Sequence, residues 1–478
     1  MPVELANNAG SRWGPKIAPN QAFRLLLGLF VLLTLALSVL VPAWEANDEP
    51  DHFRNVQTLV SGRWYRMEPG AGYSAHQAPL YYLGLAALQR IAGLSTFTPA
   101  LVDNPKRPQL GLFVHNDADS QRRVTLLRFP GIILGALTIW LTRRVARRAG
   151  LGDWSSVLAA AIVATLPRFV FLSSAINNDN LVITLGALAT LLAVGLVRDE
   201  TITARRLFGF GAVLGLMLET KLSAIPIVVA LAVGVVIARW SKHRGWNVTK
   251  SLLVIAAGTL LLAAPIVLSN QLRYGDPMAS KASVDYFREL LPPLVAVPRT
   301  WDWFGVAVSS GFATSFWYVS GWNQFRWKAE TYVPLWLLAS VGLLGCFVKQ
   351  RKAEGGHTTA SSKKASPIVS RTSSQRSSKS ALKVGAPDAP DTETPKGIVG
   401  LLAGTAVASV SVVWILATQT TQWQARTSYP GLAAFATLIS IGYRRLRIPT
   451  ALQCLLPALT LVGTLYAIHA DVINRYFP

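Results

Sequence analysis

Glu45, Asp48, Glu49, Asp51 and His52 crowd into the stretch WEANDEPDHFRN, directly after the first long apolar run. Acids at a membrane boundary lose hydration unless water, protein partners or a ligand surrounds them, so such a cluster is a functional candidate by default. Other polar residues stand between apolar runs further along. They are His76 and Gln77 in YSAHQAPL; Asn177, Asn178, Asp179 and Asn180 in AINNDN; Glu219 and Lys221; Arg273 and Asp276 in RYGDP; and Gln424, Arg426 and Tyr429 in TQWQARTSYP. A carboxylate within hydrogen-bond reach can take the proton of an incoming hydroxyl. Arginine grips a phosphate through a fork of donors, and lysine does so as a point charge. Aromatic rings can floor a sugar or an isoprenoid chain. This inventory fits transfer of a group from a lipid phosphate better than hydrolysis. No GxSxG, HExxH or Walker motif occurs, and a site on the outer leaflet has no nucleotide to bind.

The elements that must position these residues are transmembrane helices. The chain has 478 residues, 51% of them hydrophobic and 15% charged, with a mean hydropathy of +0.37. That composition lies outside the soluble range and inside the polytopic membrane one. A span needs about 20 apolar residues. Runs at 23–42, 124–142, 154–172, 179–197, 250–269, 332–348, 397–417, 428–443 and 450–469 meet or approach this. The run 207–238 is long for one helix and is interrupted by Glu219, Lys221 and Pro226, so it reads as two short helices turning near 219–221. The expected fold is an all-α polytopic bundle of about eleven helices.

The basic residues set its orientation. Net charge is +22, which would suggest nucleic acid in a soluble protein. Here the lysines and arginines fall mostly in short loops beside apolar runs, the signature of cytoplasmic flanks, and nucleic acid is excluded as the main partner. Residues 1–22 are then cytoplasmic, 23–348 form the transmembrane core, and 43–122 form a large extracytoplasmic loop. Within that loop 50–60 reads as an amphipathic surface helix, with Phe53, Val56, Leu59 and Val60 on one side and Asp51, Arg54, Asn55 and Thr58 on the other. The run 78–91 is too short to cross, and letting it cross would put Arg143, Arg144, Arg147 and Arg148 outside. Residues 349–396 are basic and rich in Ser and Thr without hydrophobic periodicity, a disordered cytoplasmic linker, and 397–478 hold the last helices. All the polar stretches above then face the extracytoplasmic side. Cys346 and Cys454 lie in apolar segments and form no metal spacing.

The order and spacing of these stretches resemble the GT-C membrane glycosyltransferases. The residues that carry the resemblance are the Asp48–Glu49 pair opening a surface helix, HQAPLYY, AINNDNL, GLMLETKLSAIP, RYGDP and QARTSYPGL. The groups most similar are the protein O-mannosyltransferases and aminoarabinose transferases, of which this chain looks like a bacterial branch. The resemblance implies an inverting transferase in a bacterial inner membrane, active at the outer face. It would take a sugar from a polyprenyl-phosphate donor and pass it to an envelope glycan, lipid or protein. It implies Asp48 as the catalytic carboxylate, Glu49 as a neighbour that orients it or binds acceptor, and Asp179 as a second acid, near which a divalent cation stays open as a cofactor. Lys221 and Arg426 are the expected phosphate ligands, with His76, Gln77, Arg273 and Tyr429 as further substrate contacts. Gln77-Ala78-Pro79 departs from the charged residue and double proline of some relatives.

Each residue also has a plain structural reading. Glu49 can be a first-turn acid, AINNDN a polar turn, Lys221 a snorkelling lysine, and Arg426 a headgroup partner. For the whole chain a lipid or solute transporter and a non-catalytic envelope-assembly scaffold remain open as alternatives.

Overall fold

The computed structural model describes residues 17–98, 101, 118–243, 245–290, 300–323, 325–349, 393–419 and 424–477. Most of the expected linker 349–396, and parts of the expected 1–22 tail and 43–122 loop, lie outside the described residues. Among the described residues the protein is all-α, with one isolated β-bridge between Ser320 and Phe325. α1 is Pro19–Leu40, α2 Glu49–Val60, α3 Leu80–Ile91, α4 Ala118–Ala149, α5 Asp153–Ala164 and α6 Pro167–Ser173. α7 is Asp179–Arg198, α8 Ala204–Thr220, α9 Ile225–Lys242, α10 Val248–Tyr274 and α11 Ser280–Leu290. α12 is Ser309–Ser315, α13 Tyr332–Gly345, α14 Lys396–Gln419, α15 Leu432–Arg445 and α16 Leu455–Ala467.

Prolines and extended residues punctuate the spans. Pro167 disfavours helix at the residue before it, so α5 and α6 meet at a 67° bend inside one apolar run. Lys221 is extended (φ −161°, ψ 113°) and separates α8 from α9, as the interrupted 207–238 run predicts. Among the described residues, seven helices are long and apolar enough to cross a membrane, or eight if the bent pair is one span. The expected count of about eleven is not reached on length. α8, α13 and α15 have 17, 14 and 14 residues, short for a perpendicular crossing at 1.5 Å per residue.

Charge divides the bundle into two ends. At one end Arg143 donates to Asn20 Oδ1 (2.7 Å), Arg148 and Arg206 share Asp199, and Lys242 reaches Glu200 (2.7 Å). Arg444 and Arg445 there donate to the carbonyls of Gly150 and Cys346. α7, with 20 residues, runs from this end, at Arg198, to the other, at Asp179, about 30 Å away. The far end collects the polar stretches singled out in the sequence.

A second apolar cluster caps that far end. Trp44, Phe53, Val56, Tyr81, Tyr82, Leu85, Val124, Leu127 and Ile176 pack together and tie α2 and α3 onto the start of α4. α2 is therefore covered on both sides. Asn55, expected on its solvent face, is buried and donates to the Ser74 carbonyl (2.8 Å). The 72–76 segment lies so close that a side chain at Gly72 (φ +87°) would collide with Asp51 and Arg54.

Candidate active site

Two residues before α2 adopt left-handed backbone, Trp44 (φ 76°) and Asp48 (φ 61°). Such conformations are costly for non-glycine residues and persist where surrounding contacts over-determine them. Here the contacts are specific. Glu49 Oε2 accepts from the Trp44 amide (3.2 Å), and Trp322 Nε1 donates to the Trp44 carbonyl (3.0 Å). Asp48 is a residue type that tolerates this region, and it is left at the rim of the site.

Glu49 lies inside the wall. Its side chain is fully buried and meets the equally buried Arg128 of α4 in a two-point pair, Nε to Oε1 at 2.8 Å and Nη2 to Oε2 at 2.6 Å. Oε1 also accepts from the Ile176 amide (3.1 Å). The remaining Arg128 donors go to the carbonyls of Ser38, Val41 and Pro42, where the end of α1 leaves carbonyls without helical partners. Expected beside Asp48 as a catalytic neighbour, Glu49 instead has its acceptor positions filled and touches no open space. It welds α1, α2, α4 and the 174–178 turn together.

Asp48, Arg426, Asp179 and Lys221 form a chain of alternating charge drawn from four segments. Asp48 Oδ2 accepts from Arg426 Nη2 and from Asn47 Nδ2 (2.7 Å). Arg426 Nε lies 3.6 Å from Asp179 Oδ2, and Lys221 Nζ is 2.5 Å from Asp179 Oδ1. Two carboxylates and two cations neutralise one another, the condition under which charges are tolerated away from water. Burial alone would lower the Arg426 pKa, but Asp48 and Asp179 outweigh it and hold the guanidinium above its ordinary value. Asp48 Oδ1 accepts no hydrogen bond from the described residues.

Backbone packing brings these segments together. Arg426 sits on a 3-10 helix, Ala425–Gly431, tied down by Ser315 Oγ on the Ala425 amide (2.9 Å) and by Tyr429 OH on the Phe316 carbonyl (2.6 Å). α7 meets this turn at Gly186, where any Cβ would overlap the Pro430 carbonyl. Asp179, two turns earlier on α7, thereby comes beside Arg426. The AINNDN turn is held from within: the Asp179 amide donates to Asn177 Oδ1 (2.8 Å), and Asn178 Nδ2 donates to Gln77 Oε1 (3.0 Å) and to the Thr220 carbonyl (3.1 Å).

The other expected residues divide. Gln77 donates to His76 Nε2 (2.7 Å), and His76 Nδ1 faces the Tyr73 carbonyl (2.9 Å), so this pair braces the turn beside Lys221. Burial lowers the His76 pKa to about 4 and that of His52 to about 3, so both rings are neutral at pH 7. Tyr429, expected as a substrate contact, is buried with its hydroxyl committed to Phe316. Arg273, expected as a further substrate contact, is exposed, donates to the Tyr65 carbonyl (3.1 Å) and stacks over Trp64. Asp276 accepts from the Met278 and Ser280 amides (2.9 and 2.7 Å) and caps α11. The residues do not fit a divalent cation. Among the described residues no three of His, Cys, Asp or Glu gather as ligands, and Asp48 and Asp179 are already neutralised by cations.

A small cavity of about 50 Å³ opens beside this chain, with Arg426, Arg168, Asn177, Glu45, Asp471 and Tyr476 on its walls. Phe171 and Phe325 add apolar surface. Arg168 was not among the expected site residues. It is buried, donates to the Val319 carbonyl and to Gln424 Oε1 (3.2 Å), and keeps Nε without a partner. The signal for it was an arginine inside the apolar run 154–172, which marks function or a buried partner. Asp471 accepts from Tyr318 OH (2.5 Å) and had no motif to announce it.

Residues 121–268 match the family described as dolichyl-phosphate-mannose-protein mannosyltransferase. The matched stretch carries Arg128, Arg168, Asp179 and Lys221; Asp48 and Arg426 lie outside it. No curated protein matches the chain. Among solved structures, it is similar to the Saccharomyces cerevisiae protein O-mannosyltransferase Pmt1-Pmt2 complex bound to the sugar donor, with 17% identity, 56% of this chain and 34% of that one covered, and a TM-score of 0.36. It is also similar to the Archaeoglobus fulgidus oligosaccharyltransferase AglB in complex with an inhibitory peptide and a dolichol-phosphate, at 13% identity over 96% of this chain and 55% of that one, TM-score 0.46. A third is ArnT from Cupriavidus metallidurans bound to undecaprenyl phosphate, at 13% identity over 89% and 77%, TM-score 0.37. The chain thus spans about a third of the yeast protein and about half of the archaeal one.

Proposed function

We propose that this chain is an inverting membrane glycosyltransferase that takes a sugar from a polyprenyl-phosphate donor and passes it to an envelope glycan, lipid or protein acceptor. Support comes from the family match over 121–268, whose named donor is a lipid-phosphate sugar, and from the cavity. The observation that carries the reading is that a strained, partly unsatisfied carboxylate, Asp48, is held by an arginine that also lines a cavity with a second buried arginine. In this reading the arginine-rich end of the bundle is cytoplasmic and the cavity faces the extracytoplasmic side of a bacterial inner membrane.

In this reading the donor phosphate lies between Arg426 and Arg168, with Phe171 and Phe325 against its apolar parts. The acceptor hydroxyl approaches Asp48. Its proton passes to the carboxylate as its oxygen bonds to the anomeric carbon. The bond from that carbon to the phosphate oxygen breaks, and polyprenyl phosphate leaves with the electron pair. Attack opposite the leaving group inverts the centre. Asp179 and Lys221 hold Arg426 in place rather than touching substrate.

The test is transfer by protein reconstituted in vesicles, using a panel of radiolabelled polyprenyl-phosphate sugars, wild type beside Asp48→Asn. Transfer that disappears in the variant supports the proposal; equal transfer by both removes Asp48 as base. A lipid-phosphate transporter is a second reading, favoured by the 67° break between α5 and α6 with Arg168 just beyond it, since broken helices mark transporter sites. Translocation of a labelled polyprenyl phosphate across vesicles, without any sugar transfer, would select it.

A further inference from the structure

Three asparagines stand in the AINNDN turn, and two of them have spent their side-chain amides. Asn178 Nδ2 donates to Gln77 Oε1 (3.0 Å) and the Thr220 carbonyl (3.1 Å), and Asn180 Nδ2 donates to the Ala175 carbonyl (3.1 Å). Asn177 differs. It is only 2% exposed, and it lines the cavity beside Arg426. The Asp179 backbone amide can only donate, so the Asn177 atom that faces it at 2.8 Å is the oxygen. Nδ2 is then the other arm of the fork, and among the described residues it makes no hydrogen bond. Buried polar groups are nearly always paired, so an unspent amide at a cavity wall marks the place of a missing partner.

We propose that Asn177 is a phosphate ligand of the cavity, its Nδ2 donating to a non-bridging phosphate oxygen that Arg426 also holds. This rests on the donor reading of the cavity. Asp179 sets the two donors side by side: its amide anchors Asn177 Oδ1, and its carboxylate lies 3.6 Å from Arg426 Nε. Arg426 Nη1 makes no hydrogen bond among the described residues either, so both side chains bring unspent N–H groups to one wall. Nitrogens that can only donate, next to a cation, suit a ligand atom that only accepts and carries negative charge. A phosphate oxygen is such an atom. The Asp179 bond holds the Asn177 amide in place before any ligand arrives, so little side-chain freedom is lost on binding.

Equilibrium binding of tritiated undecaprenyl phosphate to the full chain in detergent would be measured for wild type, Asn177→Asp, Asn177→Ser and Arg426→Gln. Undecaprenol, which lacks the phosphate, would serve as competitor. Asn177→Asp keeps the shape and the bond to the Asp179 amide but exchanges the donor for a charged acceptor. Asn177→Ser keeps that turn bond in weaker form and has no group long enough to replace Nδ2. Losing one hydrogen bond to a charged group should weaken Asn177→Ser about tenfold. Asn177→Asp adds like-charge repulsion and should be weaker still, by about a hundredfold. Competition by undecaprenol should be the same in both variants as in wild type. A role confined to the turn gives the opposite order, with Asn177→Asp close to wild type and Asn177→Ser the weaker. That order, or an equal loss of undecaprenol binding, overturns the proposal while weak binding by Arg426→Gln leaves the donor site standing. If Asn177→Asp fails to fold, Asn177→Ser decides: a loss confined to the phosphate lipid supports the contact, and unchanged binding removes it. Should wild type fail to bind, or Arg426→Gln bind as well as wild type, the donor reading falls and this contact with it.

Discussion

Asp48 and Glu49 are consecutive acids, each paired with an arginine, and they sit in opposite kinds of surroundings. The Glu49–Arg128 pair is sealed: the carboxylate accepts four hydrogen bonds and the guanidinium donates to three further carbonyls. The Asp48–Arg426 pair is open. Among the described residues Asp48 Oδ1 accepts no hydrogen bond, and Arg426 faces a cavity. A saturated pair in a wall has no capacity left for a substrate, whereas a half-satisfied pair at a cavity has both capacity and access. What separates architecture from chemistry here is the number of unspent hydrogen-bonding positions, not the residue type.

The comparison is broken most sharply at Asp48. Asp48→Asn keeps the backbone and much of the hydrogen bonding but removes the base. Transfer should fall roughly a hundred- to ten-thousand-fold in initial-rate assays while thermal unfolding in detergent changes little. A drop in stability comparable to the drop in rate would mean that Asp48 is a wall residue like Glu49.

At the sealed pair the expectation is reversed. Arg128→Met strands the Glu49 carboxylate in a dry site, which costs about 3–5 kcal/mol, whereas replacing both charges of a buried pair is often close to neutral. Thermal unfolding should therefore show a large loss for Arg128→Met and substantial recovery in Glu49→Gln/Arg128→Met. The matching double change at the open pair, Asp48→Asn/Arg426→Met, should recover stability and no activity. Recovery of transfer there would erase the distinction between the two pairs.

A smaller effect should appear with pH. His52 is buried against Tyr82 OH (2.7 Å), and burial chiefly lowers its pKa from 6.5 to about 3. Below pH 6.5 the unfolded chain takes up a proton that the folded chain refuses. Stability from this ring is thus present in full above that pH and is lost as pH falls toward about 3. His52→Asn should flatten this acid arm in a pH series of unfolding midpoints. An unchanged arm would place the sensitivity in another group, His76 first.

Much of this was legible in the sequence. Apolar run length located the helices, and the arginines marked one end of the bundle because charge is excluded from lipid. Asp48, Asp179, Lys221 and Arg426 were all visible as polar breaks between runs. Who pairs with whom was not: Arg426 and Asp48 are 378 positions apart, Lys221 and Asp179 are 42 apart, and no local periodicity encodes either contact. Glu49 was legible as a first-turn acid, but its partner Arg128, 79 positions on, was not. Arg128 and Arg168 were hidden inside runs apolar enough to pass as spans despite one charge each. Among the described residues, α13 and α15 have 14 residues each, helical without being long enough to count as spans on length alone.

The smallest expected effect belongs to Arg273, which the sequence offered as a further substrate contact alongside Lys221 and Arg426. The structure gives it an exposed position, one bond to the Tyr65 carbonyl at 3.1 Å, and a ring contact with Trp64. An exposed cation with these contacts is worth about 0.5 kcal/mol or less when removed. Arg273→Ala should leave the affinity for undecaprenyl phosphate within about twofold of wild type, under conditions where Arg426→Gln lowers it. A matching loss in both variants would extend the phosphate site toward the end of α10, and the open pair would then be one part of a wider anion-binding surface.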